Sequence, residues 1–131
     1  MHGKLTKVDL VGRPAVNALF NQKEEDARKF NGTEPAQQRE AFLPQFATIL
    51  QGLGYNEMEA TQLAGTFLPD ILTCDYTSPA GYPNGRKLPD DVSDACLLFL
   101  THGKITTDRV GPHTDYLREF PSLGPPHSGR R

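Results

Sequence analysis

Apolar positions along this chain fall into short groups, and their spacing predicts a series of small elements. Leu5, Val8, Leu10 and Val11 alternate with polar residues up to Gly12, the pattern of a short half-buried strand. Residues 13–20, "RPAVNALF", fit two readings. They continue extended after Pro14, or Ala15, Val16, Leu19 and Phe20 share one side of a single helical turn. Glu24 to Phe30 reads as a short charged helix, ended by Asn31-Gly32, a pair suited to a left-handed cap. Pro35 opens the clearest helix: Phe42, Leu43, Phe46, Ile49, Leu50 and Leu53 recur at steps of three and four, and Gly52 and Gly54 stop it. Pro44 lies inside this pattern and removes one backbone donor, so the segment is either kinked or a turn followed by a helix from residue 44.

Asn56 followed by Glu59 has the spacing of a capping box, with Met58, Leu63, Phe67 and Leu68 as the buried face of the next helix and Pro69 closing it. "DILTCDYT", residues 70–77, reads as a second strand that pairs with residues 5–11 in a small ribbon. In "YPNG", residues 82–85, Pro83 presets the first turn angle and Gly85 accepts positive φ. Asp90 or Asp91 then caps a helix with Val92, Cys96, Phe99 and Leu100 on one face and Gly103 as its stop. Residues 104–111 read as extended, residues 114–120 as a last turn or two, and residues 121–131 as a proline-rich tail. No internal repeat is present. The expected fold is therefore α+β: a mainly helical, loop-rich single domain over residues 1–131 with a small two-stranded β-ribbon.

Composition narrows this further. Only 37% of the 131 residues are hydrophobic and there are 11 prolines and 12 glycines, which implies a modest core wrapped in ordered turns. The formal charge is −2 and neither sign gathers into a long block, so the basic face that a nucleic-acid binder needs is missing, and the terminal arginines read as a solvated tail. The longest apolar run, "ACLLFL", is far short of the roughly 20 residues of a membrane-spanning helix. Residues 1–14 lack the apolar core of a secretory signal, so no signal peptide is expected in this chain.

Candidate chemistry concentrates in "AGYPNGRKLPDDVSDACLLFL", residues 80–100. Asp90, Asp91 and Asp94 gather at the first turn of the expected helix, where free amides and the macrodipole favour negative charge. Arg86 and Lys87 lie just upstream and are expected to pair with them. The rival reading is a Ca²⁺ site built on Asp90, Asp91 and Asp94. Calcium takes about six to eight oxygens, however, and the Asp-x-Asp-x-Asp-Gly order of a calcium loop is missing. His2, His102, His113 and His127 are scattered without metal-ligand spacing. Ser93, Ser122 and Ser128 lack a glycine-flanked elbow, and Cys96, although near His102, sits on an apolar face where a thiol is inert. "GYPNGRK" is not a phosphate loop. Cys74 and Cys96 flank the stretch. Joined, they would stabilise the fold by roughly 3 kcal/mol; reduced, they are two small buried hydrophobes.

Four blocks in matching order make the chain similar to a bacterial, mostly secreted family catalogued as a domain of unknown function. "NGRKLPDDVSD" resembles that family's Asn-Gly-Arg-Arg/Lys, two spacers, Asp-Asp-Val and a further Asp; "GRPAVN" its Gly-x-Pro-x-Val-Asn; "KFNGTEP" its Arg-Phe-Asn-x-x-x-Pro; and "FPSLGPPHSG" its Phe-Pro-x-Leu segment. The resemblance marks Asn84, Gly85, Arg86, Asp90, Asp91, Val92 and Asp94 as the most recognisable positions and supplies no chemistry for them. Members are several times longer, so the chain resembles their C-terminal part. Both cysteines fall where the family has other residues. The resemblance implies a secreted, periplasmic or lumenal location, and with it favours the disulfide.

The expected function is a non-catalytic binding or accessory subunit that docks a larger protein through ordered loops, with Asn84, Arg86, Lys87, Asp90, Asp91 and Asp94 as binding residues and no resident cofactor. Two alternatives remain: a metal-dependent enzyme or metal carrier using the three aspartates, with His102 or His113 as further candidate ligands, and a self-associating structural protein.

Overall fold

The structure is a computed structural model that describes residues 7–126, and the expected elements containing Leu5, His2, His127 and Ser128 extend in part beyond those residues. The described chain forms α1 (Val16–Phe20), α2 (Glu24–Gly32), α3 (Pro35–Gly52), α4 (Glu57–Phe67) and α5 (Val92–Leu100).

The centre of the fold is the pair α3 and α4, joined by a short link through Gly54, which takes a positive φ of 105°. Phe42, Phe46 and Leu50 recur every four residues on α3, and Ala60, Ala64 and Phe67 line the facing side of α4; all are buried. The small alanines admit the phenylalanines of α3, so large and small residues interdigitate across the interface. Phe20 from α1 stacks on Phe46 with ring centroids 4.1 Å apart, and Phe30 from α2 meets Phe42 edge-on at 4.9 Å. Phe67 reaches Phe20 at 5.3 Å and Phe99 of α5 at 6.1 Å. A chain of aromatic rings therefore connects all five helices, in the offset and edge-on arrangements that ring quadrupoles favour.

Pro44 does not divide α3, which runs unbroken from Pro35 to Gly52. Pro44 is exposed, so the carbonyl one turn earlier that loses its donor faces water, where the loss costs little. The capping box at the start of α4 forms as its spacing predicts. Asn56 Oδ1 accepts from the Glu59 N–H at 2.9 Å, and Glu59 Oε2 accepts from the Asn56 N–H at 3.2 Å. Met58, expected on the buried face of this helix, is exposed instead, because Ala60 and Ala64 occupy the positions turned toward α3.

The expected α+β fold with a β-ribbon is overturned. Among the described residues there is no sheet, and the single bridge pairs Gly81 with Asn84. Gly12 and Arg13, just past the first ribbon segment, do cross the start of the second, at a contact held by side chains. The Arg13 N–H donates to Asp70 Oδ1 at 2.6 Å, Arg13 Nε donates to the Ile71 carbonyl at 2.9 Å, and Arg13 Nη1 donates to the Thr66 carbonyl. These bonds occupy the groups a ladder would need. Gly12 fits against the same crossing: an added Cβ would lie 2.1 Å from the Asp70 carbonyl oxygen. Val8 and Val11 are consequently exposed rather than half-buried. Residues 13–20, left open between strand and helix, form the short α1. Residues 114–120 form no helix; a turn there is closed by the Ser122 N–H donating to the Glu119 carbonyl at 2.8 Å.

Candidate functional site

The loop from residue 73 to residue 91 is built around Asn84. Its Oδ1 accepts from the Asp75 N–H at 2.6 Å, while Nδ2 donates to the carbonyls of Asp75 at 3.0 Å and Pro79 at 3.1 Å. One amide side chain thus closes the loop by supplying both a donor and an acceptor to backbone that has no helix or sheet to pair with. The turn spans Gly81 to Asn84, with Pro83 at its third position after a cis peptide bond, not the second position expected from "YPNG". Gly85 holds a φ of 71°, and its N–H donates to the Thr73 carbonyl at 2.8 Å. Cys74 Sγ lies 3.2 Å from where a Cβ at residue 85 would stand.

The three aspartates of this stretch take three separate roles. Asp90 Oδ2 accepts from the Lys87 N–H at 2.7 Å and the Tyr82 N–H at 2.8 Å, and these two amides hold its carboxyl below the usual range. Asp91 is the N-cap of α5, accepting from the Asp94 N–H at 3.0 Å. Asp94 accepts, through Oδ1, from the Asp108 N–H at 2.7 Å.

Neutralisation of these acids comes from backbone amides. Among the described residues neither Arg86 nor Lys87 forms an ion pair with Asp90, Asp91 or Asp94, contrary to the pairing expected from their proximity in sequence. Their charges act on Asp90 at longer range, more weakly than the two amides do. The physical reason is economy: exposed long side chains lose entropy on pairing, whereas turn amides are already ordered.

The acids that converge are Asp91, Asp94 and Asp108, each with one carboxylate oxygen within 4.8 Å of the others. The expected calcium triad is therefore not the cluster the fold assembles, since Asp90 faces back into the turn. Asp108 carries no sequence signal. It lies in a stretch that reads only as extended, and it meets Asp94 across 14 residues. All three carboxylates already accept a backbone N–H: Asp91 as a helix cap, Asp94 as a tether for the following segment, and Asp108 from the Val110 N–H at 2.7 Å. With one converging oxygen each, the three carboxylates supply three of the roughly six to eight oxygens that calcium takes. A cleft of about 240 Å³ beside the cluster is lined by Arg86, Asp90, Ser93, Asp108, His113 and Tyr116, and Tyr116 donates its hydroxyl to the Leu88 carbonyl at 2.9 Å.

Cys74 and Cys96 are both free in the structure, in place of the disulfide favoured by the resemblance. Cys74 is exposed beside Gly85, whereas Cys96 is buried on the inner face of α5, where desolvation pushes its thiol pKa up and keeps it protonated. His102, at a positive φ of 54°, stacks on Tyr55 with ring centroids 4.3 Å apart. Tyr55 donates its hydroxyl to the Phe99 carbonyl, so His102 and Tyr55 together finish the C-terminal end of α5. His113 lies near Asp115, with Nδ1 3.9 Å from the carboxylate.

Among the described residues no helix is long and apolar enough to cross a membrane. No protein-family model, curated protein or solved structure matches the chain.

Proposed function

We propose that this protein is a non-catalytic binding subunit that docks a larger protein through the loop-rich half following α4. The observation that carries this reading is the exposure of two aromatic side chains from ordered loops: Tyr76 and Phe120 are each 96% exposed. Aromatic rings are the residues most enriched at the energetic centres of protein interfaces, and rings left in water by otherwise bonded loops are suited to that use. Val110, Leu117 and Leu123 from the same half add apolar surface. The Asn84 hub and the Asp94 tether hold these loops in place before binding, which lowers the entropy lost on docking. The resemblance to an exported family favours docking outside the cytoplasm.

The test is purification of the full chain from its source by size exclusion and mass spectrometry, followed by titration of the partner with wild type and with Tyr76→Ser/Phe120→Ser. The expected result is a complex of fixed stoichiometry whose affinity falls at least about tenfold in the double variant. A lone monomer in native extract, a complex indifferent to the double substitution, or concentration-dependent assembly of the chain with itself would each overturn the proposal.

A further inference from the structure

A crevice of about 320 Å³ opens where the segment entering α1 crosses the segment leaving α4. Short apolar side chains, Val11, Ala15, Ala18 and Ala27, form much of its wall, and two acids, Asp9 and Asp70, line it. Asp70 is only 1% exposed. Its Oδ1 accepts the Arg13 N–H, but its Oδ2 is buried with no hydrogen-bond partner. A buried carboxylate oxygen without a donor is costly, and its position on a crevice marks what is missing there.

The polar groups around it define the complement. Arg13 also lines the crevice, but its guanidinium donates to the Ile71 and Thr66 carbonyls. Asn17, on the wall, donates to Asn31 Oδ1 at 2.7 Å and accepts from Asn21 Nδ2 at 2.9 Å. Two of the five guanidinium N–H groups of Arg13 are thus directed to backbone carbonyls and the Asn17 amide to Asn31, while acceptor capacity remains on Asp70 and on Asp9, whose Oδ1 alone accepts the Leu10 N–H. Two carboxylates against one guanidinium leave the crevice one negative charge in excess.

We propose that this crevice binds a primary ammonium group carried on a short alkyl chain, the ammonium donating to Asp70 and the alkyl chain lying against the alanine wall. An ammonium supplies a donor for the unpartnered Asp70 oxygen and a positive charge against the excess acid, and the apolar wall accommodates only a few methylenes. A free aliphatic amine and a lysine side chain of a partner protein share this chemistry. The site is separate from the docking loops, so its failure leaves the docking proposal standing.

The experiment is a ¹H–¹⁵N NMR titration of the full chain with n-butylamine, Nα-acetyl-lysine methylamide, n-butanol and n-butyrate at neutral pH. Saturable shifts confined to residues 9–18 and 70–71 are expected from one or both amines, and the amine that binds identifies the free or the peptide-borne source. The alcohol and the carboxylate should bind at least about tenfold more weakly, as should the amines to Asp70→Asn. Absence of saturable shifts with both amines, equal response to n-butanol, tighter binding of n-butyrate, or unchanged affinity in Asp70→Asn would overturn the assignment. If Asp70→Asn fails to fold, the comparison of the four ligands on wild-type protein decides the matter alone.

Discussion

Asp94, in the first turn of α5, accepts a hydrogen bond from the backbone N–H of Asp108 at 2.7 Å, and so ties the extended segment after α5 back to the start of that helix. The acceptor is a side-chain oxygen, so its chemistry can be changed without changing its shape. Asp94→Asn retains Oδ1 and should leave the tether intact, whereas Asp94→Ala removes it. Hydrogen exchange of the Asp108 amide should accelerate several-fold in the alanine variant, corresponding to about 1 kcal/mol, and little in the asparagine variant. Equal protection in all three proteins would show that the tether contributes nothing.

Gly12 is required by close approach. An added Cβ would stand 2.1 Å from the Asp70 carbonyl oxygen and 2.8 Å from Ile71 Cα, both backbone atoms that cannot swing aside. Gly12→Ala should therefore cost about 1–3 kcal/mol in urea unfolding. Gly52→Ala provides the contrast. No atom lies within 4 Å of its added Cβ, and at the end of α3 the substitution should be neutral or stabilising by up to about 1 kcal/mol. A Gly12→Ala variant as stable as the wild type would mean that the crossing is looser than described.

Burial raises the Asp70 carboxyl above its ordinary value, outweighing the lowering by the Arg13 and Gly12 amides and the Arg13 guanidinium. The folded protein therefore holds this proton more tightly than the unfolded chain does. The contribution of Asp70 to stability is greatest below the unfolded aspartate value of about 3.9 and declines as pH rises through the folded value. Asp90 acts in the opposite sense: its depressed value gives stability that is present above the unfolded value and lost as pH falls through the folded one. Comparing wild type with Asp70→Asn isolates the first effect, since Asp90 is common to both. Urea unfolding from about pH 4 to about pH 7 should show the variant gaining on the wild type as pH rises. Parallel curves would show that burial does not shift this carboxyl.

The two thiols differ in access. Cys74 should react quickly with an aromatic disulfide reagent, while Cys96, buried and held protonated, should react only on unfolding. Biphasic labelling, with one fast thiol in wild type and none in Cys74→Ser, is the expected outcome. Absence of any titratable thiol in denaturant would instead establish the bridge between them.

Features written in neighbouring residues were legible in the sequence. The helix of residues 35–52 declares itself by Phe42, Phe46 and Leu50, and the Asn56–Glu59 box by its spacing, because each depends on groups within a turn of one another. The acidic start of α5 was legible for the same reason, although sequence left its cap between Asp90 and Asp91. The ribbon failed because alternation at Val8, Leu10 and Val11 signals extended backbone without naming what covers it. Here the Arg13 and Asp70 side chains took over the pairing, which no local pattern announces.

The sequence by itself determined the helical segments α2 to α5 and the Asn56–Glu59 capping box, since those follow from dihedral preferences and hydrogen bonds between near neighbours. It misplaced the end of α2, which runs through Gly32 to an extended Thr33 in place of the expected left-handed Asn31-Gly32 cap, and the turn, which spans Gly81 to Asn84. Tertiary structure alone decided that Asp94 meets Asp108, that Asp90 is neutralised by turn amides instead of by Arg86 and Lys87, and that Asp70 is buried beside Gly12 with an oxygen to spare. The Asp94–Asp108 and Gly12–Asp70 contacts join residues far apart in the chain, and even the nearby amides reach Asp90 only through the shape of the turn. They are set by how the aromatic core orients the helices and by which polar groups that packing shuts away from water, and both are properties of the assembled fold.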